Sequence, residues 1–256
     1  MTGLPPELDT LLTNGFWQAV AVFLRVSALV SLLPAFGEQT VPIRVKLGIS
    51  VAFTMVVATS VPGIEPPADI VAYGGLAVTE IGIGLVLGIG VRLFVLALQT
   101  AGSIAAQATS LSQLLGGSST DPAPAMGHVL VVGGLALAVM GGLHIRAAEL
   151  MIQSYQLFPA GVAPEPRGLA SWGVERIARA FGLAFMLAAP FAIASLIYYL
   201  TLGVINRAMP QLMVAFVGAP VITLGGLFLL FAGAPLMLSM WREALQVFLA
   251  NPVGPP

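Results

Sequence analysis

Glu80 has the clearest capacity for chemistry in this chain. It stands near the middle of an apolar run over residues 70–91, where an ionised carboxylate must pair, line water or lie outside lipid. Two readings follow. Glu80 can be the proton or ion site of a coupled transporter, or it can be half of a buried ion pair. Arg25, inside the apolar run 16–33, is a candidate partner. Arg92 follows Glu80 by twelve residues, too far to pair along one helix. The ion-pair reading is favoured, because a coupled transporter usually shows more than one such carboxylate. His128 and His144 are sixteen residues apart. On one straight helix that is about 24 Å, so they cannot share a metal unless the chain folds back. Asp121 follows Ser118, Ser119 and Thr120, a set that could suggest hydrolysis. No Gly-x-Ser-x-Gly elbow, His-Glu-x-x-His helix or Walker-type phosphate loop accompanies it, and Asp121-Pro122 reads as a turn. Cysteine is absent, which excludes a thiol nucleophile, a disulfide and Cys-ligated zinc. No catalytic residue, metal site or cofactor site is expected.

The elements that carry these residues must be membrane helices. Hydrophobic residues make up 58% of the 256 and charged residues 8%, against roughly 25% charged in a soluble domain. Mean hydropathy is +0.98. So few charges cannot coat a water-facing globule of this size. With a net charge of −1 there is also no basic face for nucleic acid. The acidic N-terminus, with no basic residue before Arg25, does not read as a cleaved signal peptide.

A bilayer core needs about 20 apolar residues of helix. The gaps between charges predict segments at 16–33, 47–61, 70–91, 93–115, 129–144, 180–205 and 216–240. They are too long and uninterrupted for barrel strands, so the predicted fold is all-α, polytopic and helical. Pro190, Pro220 and Pro235 fall within or beside these runs and are expected to kink them. Connectors are predicted at 34–46, 62–69, 116–124, 159–168 and 206–211. Arg44 with Lys46, and Arg167 with Arg176 and Arg179, mark loops on opposite sides, which leaves orientation close to a tie. Glu175/Arg179 and Arg146/Glu149 read as ordinary helix-surface pairs. Small residues recur at Ala180, Ala184, Ala188 and Ala192, at Gly84 and Gly88, at Gly134 and Gly141, and at Gly226 and Gly233. Such stripes let helix backbones approach closely, within one chain or between subunits.

Ordered motifs run along nearly the whole chain. Phe23-Leu-Arg25 leads to Leu33-Pro34-Ala-Phe36-Gly37 and Val41-Pro42-Ile43-Arg44-Val-Lys46. Glu80-Ile-Gly-Ile-Gly84, Val91-Arg92-Leu93 and Gln99-Thr-Ala-Gly102 follow, then Gly142-Leu-His144, Ser154-Tyr155 and Phe158-Pro159. Most specific is Asn206-Arg207-Ala-Met-Pro210-Gln211, continuing to Gly218-Ala-Pro220. Together they resemble the flagellar biosynthetic protein FliR family and, more distantly, its counterpart in type III secretion injectisomes.

The resemblance implies a non-enzymatic export-gate subunit of the bacterial inner membrane, in the flagellar basal body, without a cofactor. It implies assembly with FliP and FliQ into a pore, with FlhB at the cytoplasmic entrance, FlhA and the basal-body ring as neighbours, and unfolded protein subunits as cargo. It implies a FliP-like part over about 1–175 joined to a FliQ-like part over about 176–256. Much of such an assembly stands above the membrane plane, which would relieve Arg25, Glu80 and Arg92 of lipid. The family's pore plug falls on about 107–121, with Leu111, Leu114, Leu115, Gly116, Gly117 and Asp121. A plain flexible connector is the alternative on residues alone. Asn206, Arg207, Pro210 and Gln211 match the pore-entrance turn. This chain departs from the family with Met213 where Asn is usual and Ala108-Thr109-Ser110 where Met-Gly is usual. The alternative function is a stand-alone secondary transporter of a small solute, with Glu80 as its coupling carboxylate.

Overall fold

The computed structural model describes residues 6–109, 125–209 and 214–254. Seven helices account for most of them: α1 Pro6–Leu32, α2 Ile43–Ala58, α3 Ile70–Thr109, α4 Ala125–Met140, α5 Leu143–Leu157, α6 Pro166–Ala208 and α7 Val214–Ala250. Among the described residues there is no strand. Among the described residues, four helices are long and apolar enough to cross a membrane, and the bent pair α4–α5 would make a fifth. The chain is a polytopic helical membrane protein.

The helix limits follow from local chemistry. α1 stops two residues before Pro34, since a residue preceding proline is pushed out of the helical region. The chain then turns through Ala35 at φ 67°, and the Gly37 N–H returns to the Leu33 carbonyl at 2.7 Å. α6 opens on Pro166, where a missing N–H costs nothing. Pro190 lies inside α6, and Pro220 and Pro235 inside α7. Each helix continues through its prolines.

Three expectations are corrected. Runs 70–91 and 93–115 are not two segments, because α3 passes unbroken through Arg92 for 40 residues. Arginine is a good helix former, so a charge marks a surface and not a break. Run 129–144 is likewise not one straight segment. Gly142 at φ 82° separates α4 from α5, and the two diverge by 73°. Arg176 and Arg179 lie within α6 and not in a loop.

At 1.5 Å per residue, α3 and α6 are each about 60 Å long, twice the hydrocarbon thickness. Parts of both must therefore lie outside the lipid core or against other protein.

The chain divides into two compact units, each discontinuous in sequence. In one, made of 1–92, 139–175 and 245–256, Val22, Val26 and Leu29 form the inward stripe of α1, and Leu33 just past its end is buried beside them. Ile83, Leu87 and Val91 of α3 and Leu150 and Met151 of α5 are buried in the same unit. In the other, made of 93–138 and 176–244, the core holds Leu98, Leu130, Leu187, Phe191 and Trp241. The Trp241 indole N–H donates to the Phe94 carbonyl at 2.8 Å. Within that unit only part of the Ala180–Ala192 stripe is covered: Ala184 and Ala188 are buried. Phe181, Phe185, Ile193, Leu196, Phe228 and Phe231 are all exposed. Faces this apolar require lipid or another chain.

Candidate functional site

Within the first unit, α1, α3, α5 and the turn after α5 converge on Glu80. Arg25 and Glu80 are 1% and 0% exposed. Arg25 Nε donates to Glu80 Oε2 at 2.8 Å, and Nη2 donates to Oε1 at 3.0 Å. The Tyr155 hydroxyl donates to Oε2 at 3.0 Å, and the Gly161 backbone N–H to Oε1 at 3.0 Å. Arg25 Nη1 donates to Ser154 Oγ at 3.1 Å. Its guanidinium lies 3.7 Å from the centre of the Tyr155 ring, a distance at which the ring quadrupole attracts the cation.

Four donors therefore fill the four lone-pair directions of one carboxylate. The arrangement is bidentate, the strongest geometry for an Arg–carboxylate pair. It leaves no acceptor site on Glu80 for a transported cation or a water. The network can hold four segments in register; it is not built to take up and release an ion.

Arg92 belongs elsewhere. It pairs with Glu38 in the turn after α1, and both are about one-quarter exposed. Lys46 Nζ donates to the Gly37 carbonyl in the same turn at 2.9 Å. Glu38, Tyr155 and Gly161 had no assigned role in the sequence reading. Glu38 sits in a predicted loop with no periodic signal, and a backbone N–H leaves no mark in a sequence.

The backbones of α1 and α3 touch where the network sits. A Cβ on Gly84 would collide with the Arg25 carbonyl oxygen and approach Ala28 Cβ at 2.8 Å. Gly82, one turn-face away, has nothing within 4 Å. Gly84→Ala is therefore expected to destabilise the protein by about 1–3 kcal/mol, since a carbonyl cannot give way. Gly82→Ala is expected to be neutral or to stabilise by up to about 1 kcal/mol through helix propensity. Paired thermal unfolding in detergent checks this. Equal midpoints for the two variants would refute the close approach.

Other expected site residues fall differently. Asn206 and Arg207 are exposed at the end of α6. Pro210 and Gln211 lie outside the described residues, as do Leu111, Leu114, Leu115, Gly116, Gly117 and Asp121. The flanks of 110–124 are well held within the second unit. The Tyr199 hydroxyl donates to the Ala108 carbonyl at 3.1 Å. Thr109 is buried with its methyl against Gly226, and Gly102 meets the Gly127 backbone so closely that no Cβ would fit.

Comparison with known proteins agrees along most of the chain. The family model for bacterial export proteins, family 1, matches residues 16–247. The flagellar biosynthetic protein FliR of Caulobacter vibrioides is 32% identical over 238 residues, covering 90% of this chain and 95% of that protein. FliR of Escherichia coli is 32% identical over 231 residues, covering 87% and 84%. FliR of Bacillus subtilis is 27% identical over 210 residues, covering 78% and 79%. A family match over residues 16–247, with relatives aligned over about nine-tenths of this polytopic helical chain, places it: it belongs to family 1 of the bacterial export proteins, together with the FliR proteins.

Proposed function

We propose that this chain is a structural, pore-forming subunit of the flagellar type III export gate in the bacterial inner membrane. Unfolded flagellar subunits would cross through a channel that it builds with FliP and FliQ. FlhB would stand at its cytoplasmic entrance, with FlhA and the basal-body ring as further neighbours. The observation that carries this reading is the match to flagellar biosynthetic proteins over about nine-tenths of the chain. Two physical features support it. Long helices leave apolar faces uncovered on α6 and α7, which suits a chain that is incomplete alone. Glu80 has all its acceptor positions filled, which speaks for architecture and against the secondary-transporter alternative. In this reading residues of about 1–175 play the FliP-like part and those of about 176–256 the FliQ-like part. The 107–121 stretch supplies the plug, and Asn206, Arg207, Pro210 and Gln211 supply the entrance turn. No catalytic step and no cofactor are involved.

The test is native mass spectrometry of the tagged chain, extracted in mild detergent from cells co-expressing its neighbouring membrane genes. A discrete hetero-complex with several copies of two other small membrane proteins is the expected result. A monomer or pure homo-oligomer, with those partners expressed yet absent, would return the argument to transport and to Glu80.

A further inference from the structure

The connector between α5 and α6 joins the surface to the buried pair through a single peptide group. α5 closes at Leu157, and the Phe158 N–H returns to the Ser154 carbonyl at 2.8 Å. Pro159 to Val162 then form a tight turn, with the Val162 N–H donating to the Pro159 carbonyl at 3.2 Å. Gly161, third in that turn, has φ 73°, and Ala160 before it is not among the positive-φ residues. That combination is a type II turn, which needs a positive φ at its third residue. Pro159, Gly161 and Val162 are exposed. Yet the Gly161 N–H donates at 3.0 Å to Oε1 of Glu80, which is 0% exposed. In a planar trans peptide the N–H and the preceding C=O point in opposite directions. The Ala160 carbonyl is therefore aimed away from Glu80.

We propose that the Ala160–Gly161 peptide is a two-position switch, set by the buried Arg25–Glu80 pair and presented at the surface. Type I and type II turns share the same closing hydrogen bond and differ chiefly in the orientation of this one peptide. Glycine at the third position suits both. The carboxylate selects between them. In the type II turn it receives the Gly161 N–H. In the type I turn the Ala160 carbonyl would point at Oε1, acceptor against acceptor. With the pair in place the turn is held as type II, and the connector turns a carbonyl away from the pair. With the pair removed nothing opposes the flip, and the same turn presents an N–H instead. Space does not force the glycine, because a Cβ at Gly161 would meet Leu76 Cδ1 at 3.7 Å, an ordinary contact. The position demands only the positive φ that aims the N–H at Glu80. Coupling of this kind is reciprocal. A partner chain that donates a hydrogen bond to the Ala160 carbonyl strengthens the buried pair, and one that needs a donor there weakens it.

The test is residue-resolved hydrogen–deuterium exchange on the full chain in detergent, corrected for intrinsic rates. In the parent, the Gly161 amide is expected to exchange at least about tenfold more slowly than the Ala163 amide, as a hydrogen bond to a charged group requires. Arg25→Met with Glu80→Met should abolish that difference. The Val162 amide should keep its protection in the same variant, since both turn types retain its bond to Pro159. Gly161→Ala penalises positive φ and should speed exchange at 161 about tenfold. Gly161→Asn, whose side chain tolerates the left-handed region, should stay close to the parent. Should the double variant fail to fold, the Ala and Asn variants decide the matter between them. Fast exchange of Gly161 in the parent, unchanged protection in the double variant, or equal exchange in the Ala and Asn variants overturns the switch. So does joint loss of protection at 161 and 162, because the connector would then unravel instead of flipping. The switch concerns the first unit alone and not the pore role, so its failure leaves the export reading standing.

Discussion

Glu80→Ala is expected to abolish accumulation of the folded chain. The substitution leaves the Arg25 guanidinium where it is, 1% exposed and without its counter-ion. It also strips the acceptor from the Tyr155 hydroxyl and from the Gly161 N–H. Removing one member of a buried ion pair costs about 3–5 kcal/mol. Whole-protein stabilities are about 5–15 kcal/mol, so this loss alone consumes much of the margin. Tyr155→Phe keeps the ring under the guanidinium and loses one hydrogen bond to a charged group, for about 1.5–3 kcal/mol. The informative variant is the double exchange Arg25→Met with Glu80→Met. It removes both charges and their desolvation together, and apolar replacement of a complete buried pair is often neutral. The double variant should therefore recover much of the folded protein that either single variant loses. Detergent-solubilised yield and thermal midpoint by fluorescence-detected size exclusion read this out, with swimming motility as the functional check. Recovery of fold and motility together means that the pair is architectural. A double variant that folds as well as the parent yet leaves cells non-motile would show that Glu80 does something beyond holding helices. Parent-like stability of Glu80→Ala would remove the network from the account of the fold.

How much of this was legible beforehand depends on which physical signal each feature leaves in a sequence. Arg25 and Glu80 could be singled out because charges are rare in apolar runs, and their cost forces a partner. The same rule misread Arg92. Its charge looked like a boundary, yet α3 continues through it, because helix continuity depends on backbone propensity and not on charge. Glu38, its partner, gave no signal, since a carboxylate in a loop is unremarkable until the loop folds back onto α3. Gly141-Gly142 stood inside an expected segment and proved to be its corner, with only Gly142 at positive φ. The small-residue stripes announced close packing without its address. Gly84 and Gly88 turn out to face α1, and Gly134 faces Leu98 and Trp241. Packing partners separated by dozens of residues are set by tertiary geometry, which periodicity along one helix does not encode. Ser154-Tyr155 stood out only as one of the family motifs, and its place against Arg25 and Glu80 left no mark in the sequence.

Deleting residues 111–117 is expected to leave the chain folded and assembled, and to make the membrane leaky to small ions. The deletion removes Leu111, Leu114, Leu115, Gly116 and Gly117 and leaves eight residues between Thr109 and Ala125. Geometry permits that closure. Gly102 and Gly127 are in backbone contact, so Thr109 and Ala125 are roughly 20 Å apart at most, given 1.5 Å of rise per residue. Eight extended residues reach about 26 Å or more. The flanks have their own anchors in the Tyr199–Ala108 hydrogen bond and in Thr109 against Gly226. Nothing in those contacts calls on the deleted residues. If the apolar stretch supplies the plug, its loss takes away the surface that excludes water from a narrow opening. Such a dewetted constriction is what stops ions in a closed pore, and removing it should raise conductance about tenfold or more. The measurement is ion flux across membranes holding the purified assembly, with native mass spectrometry confirming that the mutant subunit is present in it. Unchanged flux in an intact mutant assembly would reduce 107–121 to a connector. Raised flux that Gly116→Ala with Gly117→Ala fails to reproduce would assign the seal to the leucines. The glycines would then serve only to let the backbone rearrange, since their replacement stiffens the chain without removing apolar surface.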